Sequence, residues 1–382
     1  MAATSPVPQI YIIGEDTDRM RPLLEVLSSR GVSTVVWDTA GGCLVPTLAP
    51  PSLAAVYFCR QSPSAGGRGH PHAMGYAKEL LRWLEFHGAT VVNGSRALDV
   101  ECSKGLQMMY LHAAGLNVPL TMVQQGLRQT VVQAMAVPEY REGAFIMKPN
   151  QGGSGANVDS YANGRELRND VRGSGGGILP APDDLWVLQT HVGTYSRDPL
   201  VTKSILRFEV IGGVVQRDYV VQITAPSTEF SLCPCDPRAE KLLNSIDFRI
   251  LRNPLTIPGF KDAPEAFDAF CTKVEQVFAW VGASVGSVEG IVEEDPEVRA
   301  GYPCPHEPVL FEMNFNTNYN SSAEAAAGIT PGPHRVADLL LGELLRLTDT
   351  GTGSAAPRSG RSLDHDVGGE PGADKASEGG DW

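Results

Sequence analysis

Short apolar runs, separated by glycine and by segments of helical spacing, constrain this chain more than any single residue does. Residues 10–13 form one such run and Gly14 closes it; apolar side chains then recur as Met20, Leu23, Leu24 and Leu27, and after Gly31 a second run covers 34–37. Strand, helix, strand is the economical reading, and it opens an α/β domain. A further run at 54–59 leads into residues 60–72, rich in Gly, Ser, Pro and Arg. Loops at the ends of such strands are where α/β folds keep ligand contacts. A helix over 76–87, stopped by Gly88, and a short strand at 90–92 complete the first part.

Beyond Ser95 the texture changes, which sets a boundary near residue 93. A helical segment through 104–114 ends at Gly115, and two short strands between 145 and 161 flank a glycine-rich turn. Residues 171–182 read as a flexible Gly/Pro loop. Strands follow at 186–190, 205–211 and 214–224, the last two joined by Gly212-Gly213 as a hairpin. An amphipathic helix over 266–281 and strands at 287–292 and 309–314 make this half α+β, with much antiparallel pairing. After Arg346 the pattern collapses. Residues 351–382 hold eight glycines and only Leu363, Val367 and Trp382 as large apolar side chains, so the tail is expected to be disordered.

Composition removes several function classes. With 382 residues, 42% of them apolar, two or three packed units are expected. Forty-four acidic against thirty-one basic side chains give a formal charge of −13, which repels a polyanion and argues against a nucleic-acid partner. No stretch approaches the roughly 18 apolar residues of a membrane helix, so no membrane partner is expected. The N-terminus lacks a basic start with an apolar run, and a cytoplasmic location is expected. Seven scattered cysteines with no Cys-x-x-Cys fit a reducing compartment, and Cys233-Pro-Cys235 has no matching pair at zinc spacing. His306, His334 and His365 likewise have no second ligand at useful spacing. The sequence leaves homo-oligomerisation open.

The segment 145–158 carries the most chemistry. Lys148 ends a strand and is followed by Gly152, Gly153, Ser154 and Gly155. A glycine turn lets backbone N–H groups approach phosphate oxygens while an ammonium neutralises them. It is not the strand-to-helix P-loop, since Gly-Lys-Ser/Thr is missing and a strand follows; a plain hairpin turn is the alternative. In the run 309–318, Glu312 and Asn314 leave one strand on the same face, where a carboxylate and an amide oxygen suit a hard cation such as Mg²⁺. Glu289 sits inside another apolar strand, at 287–292, where an unpaired carboxylate is costly. If the two strands pair, three oxygen ligands converge; solvated strand faces or basic partners are the competing reading.

In order along residues 90 to 330, these pieces resemble the ATP-grasp superfamily. They comprise Val91-Val-Asn93-Gly-Ser-Arg-Ala97 leading to Lys104, then Gly115-Leu-Asn-Val-Pro119, the lysine and glycine loop, and Trp186-Val-Leu-Gln189-Thr190-His191-Val192. The strand opening at Arg207, then Glu289 and Glu312-x-Asn314, complete the set. Within the superfamily the chain is similar to RimK-like amino-acid ligases, and to bacterial relatives carrying Arg60-Gln-Ser-Pro63-Ser64…Arg68-Gly69-His70 and the asparagine-rich segment from Asn314 to Asn320.

The resemblance implies an ATP-grasp fold of mixed α/β and α+β class. A pre-ATP-grasp α/β domain (1–93) would precede two α+β subdomains enclosing ATP (94–190 and 191–348), with a tail at 349–382. It implies that Lys104 and Lys148 contact the phosphates of ATP, that Gly152, Gly153, Ser154 and Gly155 close over them, and that Gln189, Thr190, His191 and Val192 form the adenine hinge. Glu289, Glu312 and Asn314 would hold Mg²⁺. The reaction implied joins small-molecule carboxylate and amine substrates, one of them an amino acid, through an acyl phosphate, so that cations must spread charge in the transition state. Arg207 is assigned to the transferred phosphate, where its planar fork suits the geometry. Arg60, Arg68 and His70 either hold a substrate carboxylate or are plain surface residues of a mobile loop, and Asn316, Asn318, Tyr319 and Asn320 either orient the acceptor or form an ordinary turn.

Two positions depart from the family pattern. Ile205 stands where an Asp two residues before Arg207 is expected. The arginine late in the next strand is replaced by Val220 and Val221, with Arg217 slightly upstream; either Arg217 substitutes in a shifted register or the role has moved. These departures keep a second class open, a non-catalytic ATP-binding regulatory protein, beside the ligase and a weaker thiol- or acyl-phosphate-forming alternative.

Overall fold

Four parallel strands carry the N-terminal third. They are β1 (Ile10–Gly14), β2 (Thr34–Asp38), β3 (Val56–Cys59) and β4 (Thr90–Val92), in the order β2-β1-β3-β4. The computed structural model describes residues 10–44, 50–153, 155–173, 181, 183–193, 195–198, 200–230, 246–261 and 263–350. Ser154, most of the Gly/Pro loop, Cys233, Cys235, His365 and the tail 351–382 therefore lie outside the described residues. Helix α1 (Thr17–Ser29) starts where the Asp16 carboxylate accepts the Arg19 backbone N–H at 3.2 Å, and it lays Met20, Leu23 and Leu27 on Ile10, Ile12, Val56 and Phe58. Helix α2 (Ala73–Phe86) covers the other face with Ala77, Leu80, Leu81 and Leu84, so β3 is buried on both sides.

Two short helices, α3 (Ser95–Glu101) and α4 (Lys104–Ala113), lead to an antiparallel sheet of β5 (Thr121–Gln125), β6 (Phe145–Pro149), β7 (Asp159–Tyr161) and β8 (Leu185–Thr190). Its order is β5-β8-β6-β7. Helices α5 (Leu127–Ala136), α6 (Pro138–Glu142) and α7 (Gly164–Gly173) bring Ala134, Tyr140 and Leu167 onto Phe145, Met147, Trp186 and Leu188. Helix α7 enters the stretch that the sequence presented as loop. It carries few apolar residues, and Leu167 is its one buried large side chain, so its pattern is faint.

A second antiparallel sheet holds β9 (Thr202–Ile211), β10 (Val214–Val215), β11 (Val220–Pro226), β12 (Asp247–Leu251), β13 (Val285–Ile291) and β14 (Val309–Asn314). The order is β12-β11-β9-β13-β14, and β10 extends β9 through the expected hairpin. Gly212 and Gly213 both have positive φ (70° and 76°), the conformation that two-residue hairpins require and side chains resist. Helix α8 (Pro264–Val281) begins with proline and ends at Gly282, and packs Phe267, Phe270, Val274, Val277 and Phe278 on this sheet. The short α9 (Pro296–Ala300) and α10 (Ser321–Ala326) precede α11 (Gly332–Thr350). Helix α11 runs past Arg346, where the sequence pattern was expected to end, and its Val336, Ala337 and Leu340 join the core under β1 and β3. Edge strands β5 and β12 gave no sequence signal because their residues are largely half-exposed and form no apolar run.

Asn93 joins the parallel sheet to the second antiparallel one. Its amide donates to the Val285 and Phe315 carbonyls (2.8 and 3.0 Å) and its Oδ1 accepts from the Ser284 and Val285 N–H groups (3.0 and 3.1 Å). It does so from φ 56°, a conformation asparagine tolerates. Asn93→Ala should cost about 3 kcal/mol, because four backbone groups lose their partner in a dry site. Urea unfolding checks this, and a loss below about 1 kcal/mol would show that the staple is not structural.

Candidate functional site

The two antiparallel sheets face each other across a cavity of about 550 Å³. From one side come Lys148, at the end of β6, and Lys104, at the first position of α4; both are buried. Lys148 Nζ donates to the Phe311 carbonyl of β14 at 3.3 Å, and Lys104 Nζ donates to the Gly152 carbonyl at 2.7 Å and lies 3.6 Å from Glu312 Oε1. Burial pushes the Lys148 ammonium down to about 8; the Glu312 carboxylate opposes that shift and Lys104 adds to it. A cation held at such cost with carboxylates beside it is poised for an anion.

Local structure fixes both lysines. Ser103 caps α4 by accepting the Leu106 N–H at 3.3 Å, and its hydroxyl donates to Asn150 Oδ1. Asn150 also accepts from the Gly105 N–H (3.1 Å) and donates to Asp183 (3.0 Å), which ties the start of α4 to the glycine loop. Gly152, Gly153 and Gly155 line the cavity, and Gly155 has φ 68°. Gly153 faces Pro63 and Ser64 of the loop after β3.

From the other side, register sets a row of charges. Glu289 on β13 pairs across to Arg207 on β9 and to Glu312 on β14. Arg207 Nε donates to Glu289 Oε1 at 2.9 Å, a second guanidinium nitrogen lies 2.8 Å from the same oxygen, and Asn314 Nδ2 donates to it at 3.2 Å. Burial raises the Glu289 pKa, the Arg207 guanidinium opposes the rise, and Glu312 adds to it. A bulge follows Glu289, so that Phe311 has no partner in the pairing. The cavity wall thus joins Lys104, Lys148, Arg207, Glu289, Glu312 and Asn314, with Asn316 and Asn318 beside them.

The segment 189–192 closes the far end. Gln189 is buried and donates to Thr121 Oγ1 at 3.1 Å; the Thr190 and His191 N–H groups bond to Leu120 and Ala144. Burial lowers the His191 pKa, and its ring makes an edge contact with Tyr195. Two wall residues were not anticipated. Lys203 shares the β9 face with Ile205 and Arg207, donates to the Ser227 carbonyl at 3.3 Å, and is pushed by burial to about 8. Glu101, at the end of α3, accepts the Phe315 N–H and is raised by burial to about 7. The two-residue alternation from Lys203 to Arg207 carried a signal for the first; nothing in the sequence marked the second.

Arg217 is a correction. It stands beyond the β9–β10 hairpin, exposed, 2.6 Å from Glu275 and 3.7 Å from Asp268, and is not among the cavity residues. In register with Arg207 stands Val221, and the neighbouring polar residue that reaches the cavity is Gln222. Arg60 is buried and donates to the Thr317 carbonyl (2.8 Å) and Asn318 Oδ1 (3.1 Å), so it holds the asparagine-rich loop. Arg60, Arg68, His70, Tyr319 and Asn320 line a second cavity of about 810 Å³ over the ends of β1 and β3, with Arg19 and Asn318 common to both cavities. Arg68 is paired with Glu15 and donates to Ser64 at 3.1 Å. Asn320 caps α10 by accepting the Ala323 N–H at 3.1 Å.

Among the described residues no helix is long and apolar enough to cross a membrane. No family model matches the chain, and no curated protein matches it. Solved structures do. D-alanyl-alanine synthetase A from Vibrio cholerae superposes with a TM-score of 0.58 at 10% identity, over 89% of this chain and 100% of its own. The ATP-grasp ligase PsnB, complexed with minimal precursor, Mg and ADP, gives 0.55 at 16% identity, covering 90% and 100%. A RimK domain ATP-grasp protein from Sphaerobacter thermophilus gives 0.50 at 16%, covering 87% and 100%. Two facing antiparallel sheets behind a parallel N-terminal sheet, shared along nearly the whole of each of these proteins, identify the architecture of this chain as the ATP-grasp fold.

Proposed function

We propose that the chain is an ATP- and Mg²⁺-dependent, RimK-like carboxylate–amine ligase that takes an amino acid as one substrate and acts in the cytoplasm on small molecules. One observation carries this reading: two buried ammonium groups, Arg207 and the Glu289, Glu312, Asn314 set all line one cavity between the sheets. The subdomains would divide near residues 93, 190 and 348.

In this reading Lys104 and Lys148 hold the phosphates, the glycine loop covers them, and residues 189–192 seat the adenine. A substrate carboxylate oxygen attacks the terminal phosphorus and ADP leaves; the amine then attacks the acyl carbon and phosphate leaves. Arg207 spreads the charge of the transferred group. The residues fit a magnesium ion: two carboxylates and one amide supply hard oxygen donors, and Mg²⁺ characteristically takes one or two carboxylates together with substrate phosphates. Bound there, it would neutralise phosphate charge. PsnB, described with Mg and ADP, supports this by analogy of fold.

Purified protein given ATP, Mg²⁺ and a panel of amino acids and amines should release ADP and phosphate together with an amide product. Glu312→Gln should lower that turnover by about 10²-fold. AMP and pyrophosphate as products would reject the mechanism. Ile205 in place of an acid, with Arg217 outside the cavity, favours a second reading, an ATP-binding regulator without turnover. Tight ATP binding with no product on any substrate would decide for it.

A further inference from the structure

A second cluster of reactive side chains, which the ligation does not use, lies on the outer side of the large sheet. Lys273 is on α8, and Cys304 and Glu307 are on the segment that feeds β14. Lys273 Nζ donates to Glu307 Oε1 at 2.7 Å, lies 3.1 Å from Cys304 Sγ and also reaches the Gly115 carbonyl at 3.2 Å. Asn117 fixes the backbone around the thiol. Its amide donates to the Cys304 and Glu307 carbonyls (2.6 and 3.1 Å) and its Oδ1 accepts the Cys304 N–H at 3.1 Å. Cys304 is partly exposed, so a small oxidant reaches it, whereas Glu307 is buried and its Oε2 has no partner of hydrogen-bond geometry among the described residues.

The geometry points to Lys273 and Cys304 as an oxidative crosslinking site, where hydrogen peroxide turns the adjacent thiol and amine into a sulfenamide. In the first step sulfur attacks one peroxide oxygen, the O–O bond breaks and water leaves, giving the sulfenic acid; sulfur is oxidised and the peroxide reduced. In the second, Lys273 passes its proton to Glu307. The amine nitrogen attacks the sulfenic sulfur, an S–N bond forms, the S–O bond breaks and the hydroxide leaves as water with a proton. The sum is one peroxide consumed and two waters released. Glu307 Oε1, 2.7 Å from the ammonium, is the acceptor within reach; burial raises its pKa and favours the transfer, while the hydrogen bonds of Lys273 to Glu307 and Cys304 raise the lysine's own pKa and oppose it. A thiol reverses the bond by attacking sulfur, which releases the amine. The link would join α8 covalently to the segment that carries β14, and so couple redox state to the strand of Glu312 and Asn314. It stands independently of the ligase reading.

The test treats the full chain with hydrogen peroxide and maps its peptides without reduction. The expected result is a Lys273–Cys304 linked pair, lighter by two hydrogens than the sum of its parts, formed by the majority of Cys304 and lost on adding dithiothreitol. Lys273→Arg, which keeps the charge, should abolish the link while leaving the sulfenic acid trappable by dimedone. Cys304 carried to sulfinic or sulfonic acid in the wild type, with Lys273 unmodified, would overturn the proposal. So would a disulfide from Cys304 to another cysteine. Neither outcome depends on how a variant folds, since both are read on the wild-type chain.

Discussion

Lys148→Met should lower kcat/KM for ATP by about 10²–10³-fold and, in the same protein, raise the stability of the nucleotide-free state. The two effects share one cause. Burial pushes the Lys148 ammonium down to about 8, against a free lysine near 10.4, so the folded chain keeps the charge at a cost. Below pH 8 lysine is charged both folded and unfolded, and that cost is fully present. As pH rises from 8 toward about 10.4, the unfolded chain binds more protons than the folded one, so stability climbs with pH through this window. Wild-type protein should show that climb and the methionine variant should lack it, with a gain of up to about 3 kcal/mol for the variant at neutral pH. If Lys148 meets the phosphates as proposed, nucleotide affinity of the wild type should weaken above pH 8, as the ammonium discharges. Urea unfolding and ATP titration across pH 6 to 10 measure both. A variant that is less stable at pH 7, or that binds ATP as the wild type does, would refute the assignment.

What the sequence disclosed follows from which signals are local. Strands β1 and β3 and helix α8 were legible because each buries a continuous run or a strict helical face. Glu312 and Asn314 were legible as a same-face pair because strand alternation is local, but that Glu289 lies beside Glu312 is a matter of register between β13 and β14, which no single strand encodes. Register also decides Arg217. Nearness in sequence to the expected arginine position suggested it, yet it lies beyond the turn, where Glu275 and Asp268 take its charge. Glu101 and Asn150 were invisible for another reason. Their work is to receive the backbone N–H groups of Phe315 and Gly105, residues distant in the chain, and a polar side chain at a helix or strand end carries no pattern that announces its partner. The sequence presents Arg60 on a loop but does not show that its guanidinium, buried beside the second cavity, meets Thr317 and Asn318, residues some 257 positions away.

Arg207 tests whether that wall is built for chemistry or for stability. Arg207→Met removes the cation from Glu289, a carboxylate buried among β9, β13 and β14 whose pKa burial already raises. Breaking a buried pair on one side characteristically costs about 3–5 kcal/mol, and here the remaining carboxylate would keep only the neutral Asn314 amide in place of its cation. The single variant should lose about that much stability at pH 7 and about 10³-fold in turnover. Its instability should also depend on pH in a definite sense. With the guanidinium gone, the folded-state pKa of Glu289 rises further above that of a free glutamate, so the folded chain holds a proton that the unfolded chain gives up. Stability is then best at acid pH and is lost as pH rises through that raised value. Adding Glu289→Met should restore most of the stability and abolish the pH dependence, since replacing both partners by apolar groups removes the stranded charge. Activity should stay absent, because in the proposed mechanism the cavity has then lost both its fork for the transferred phosphate and one oxygen donor. Urea unfolding of the two single variants and the double variant, at pH 5 and pH 8, closes the cycle. If the double variant recovers turnover along with stability, Arg207 and Glu289 serve only to hold β9 against β13, and the catalytic surface must lie elsewhere in the cleft.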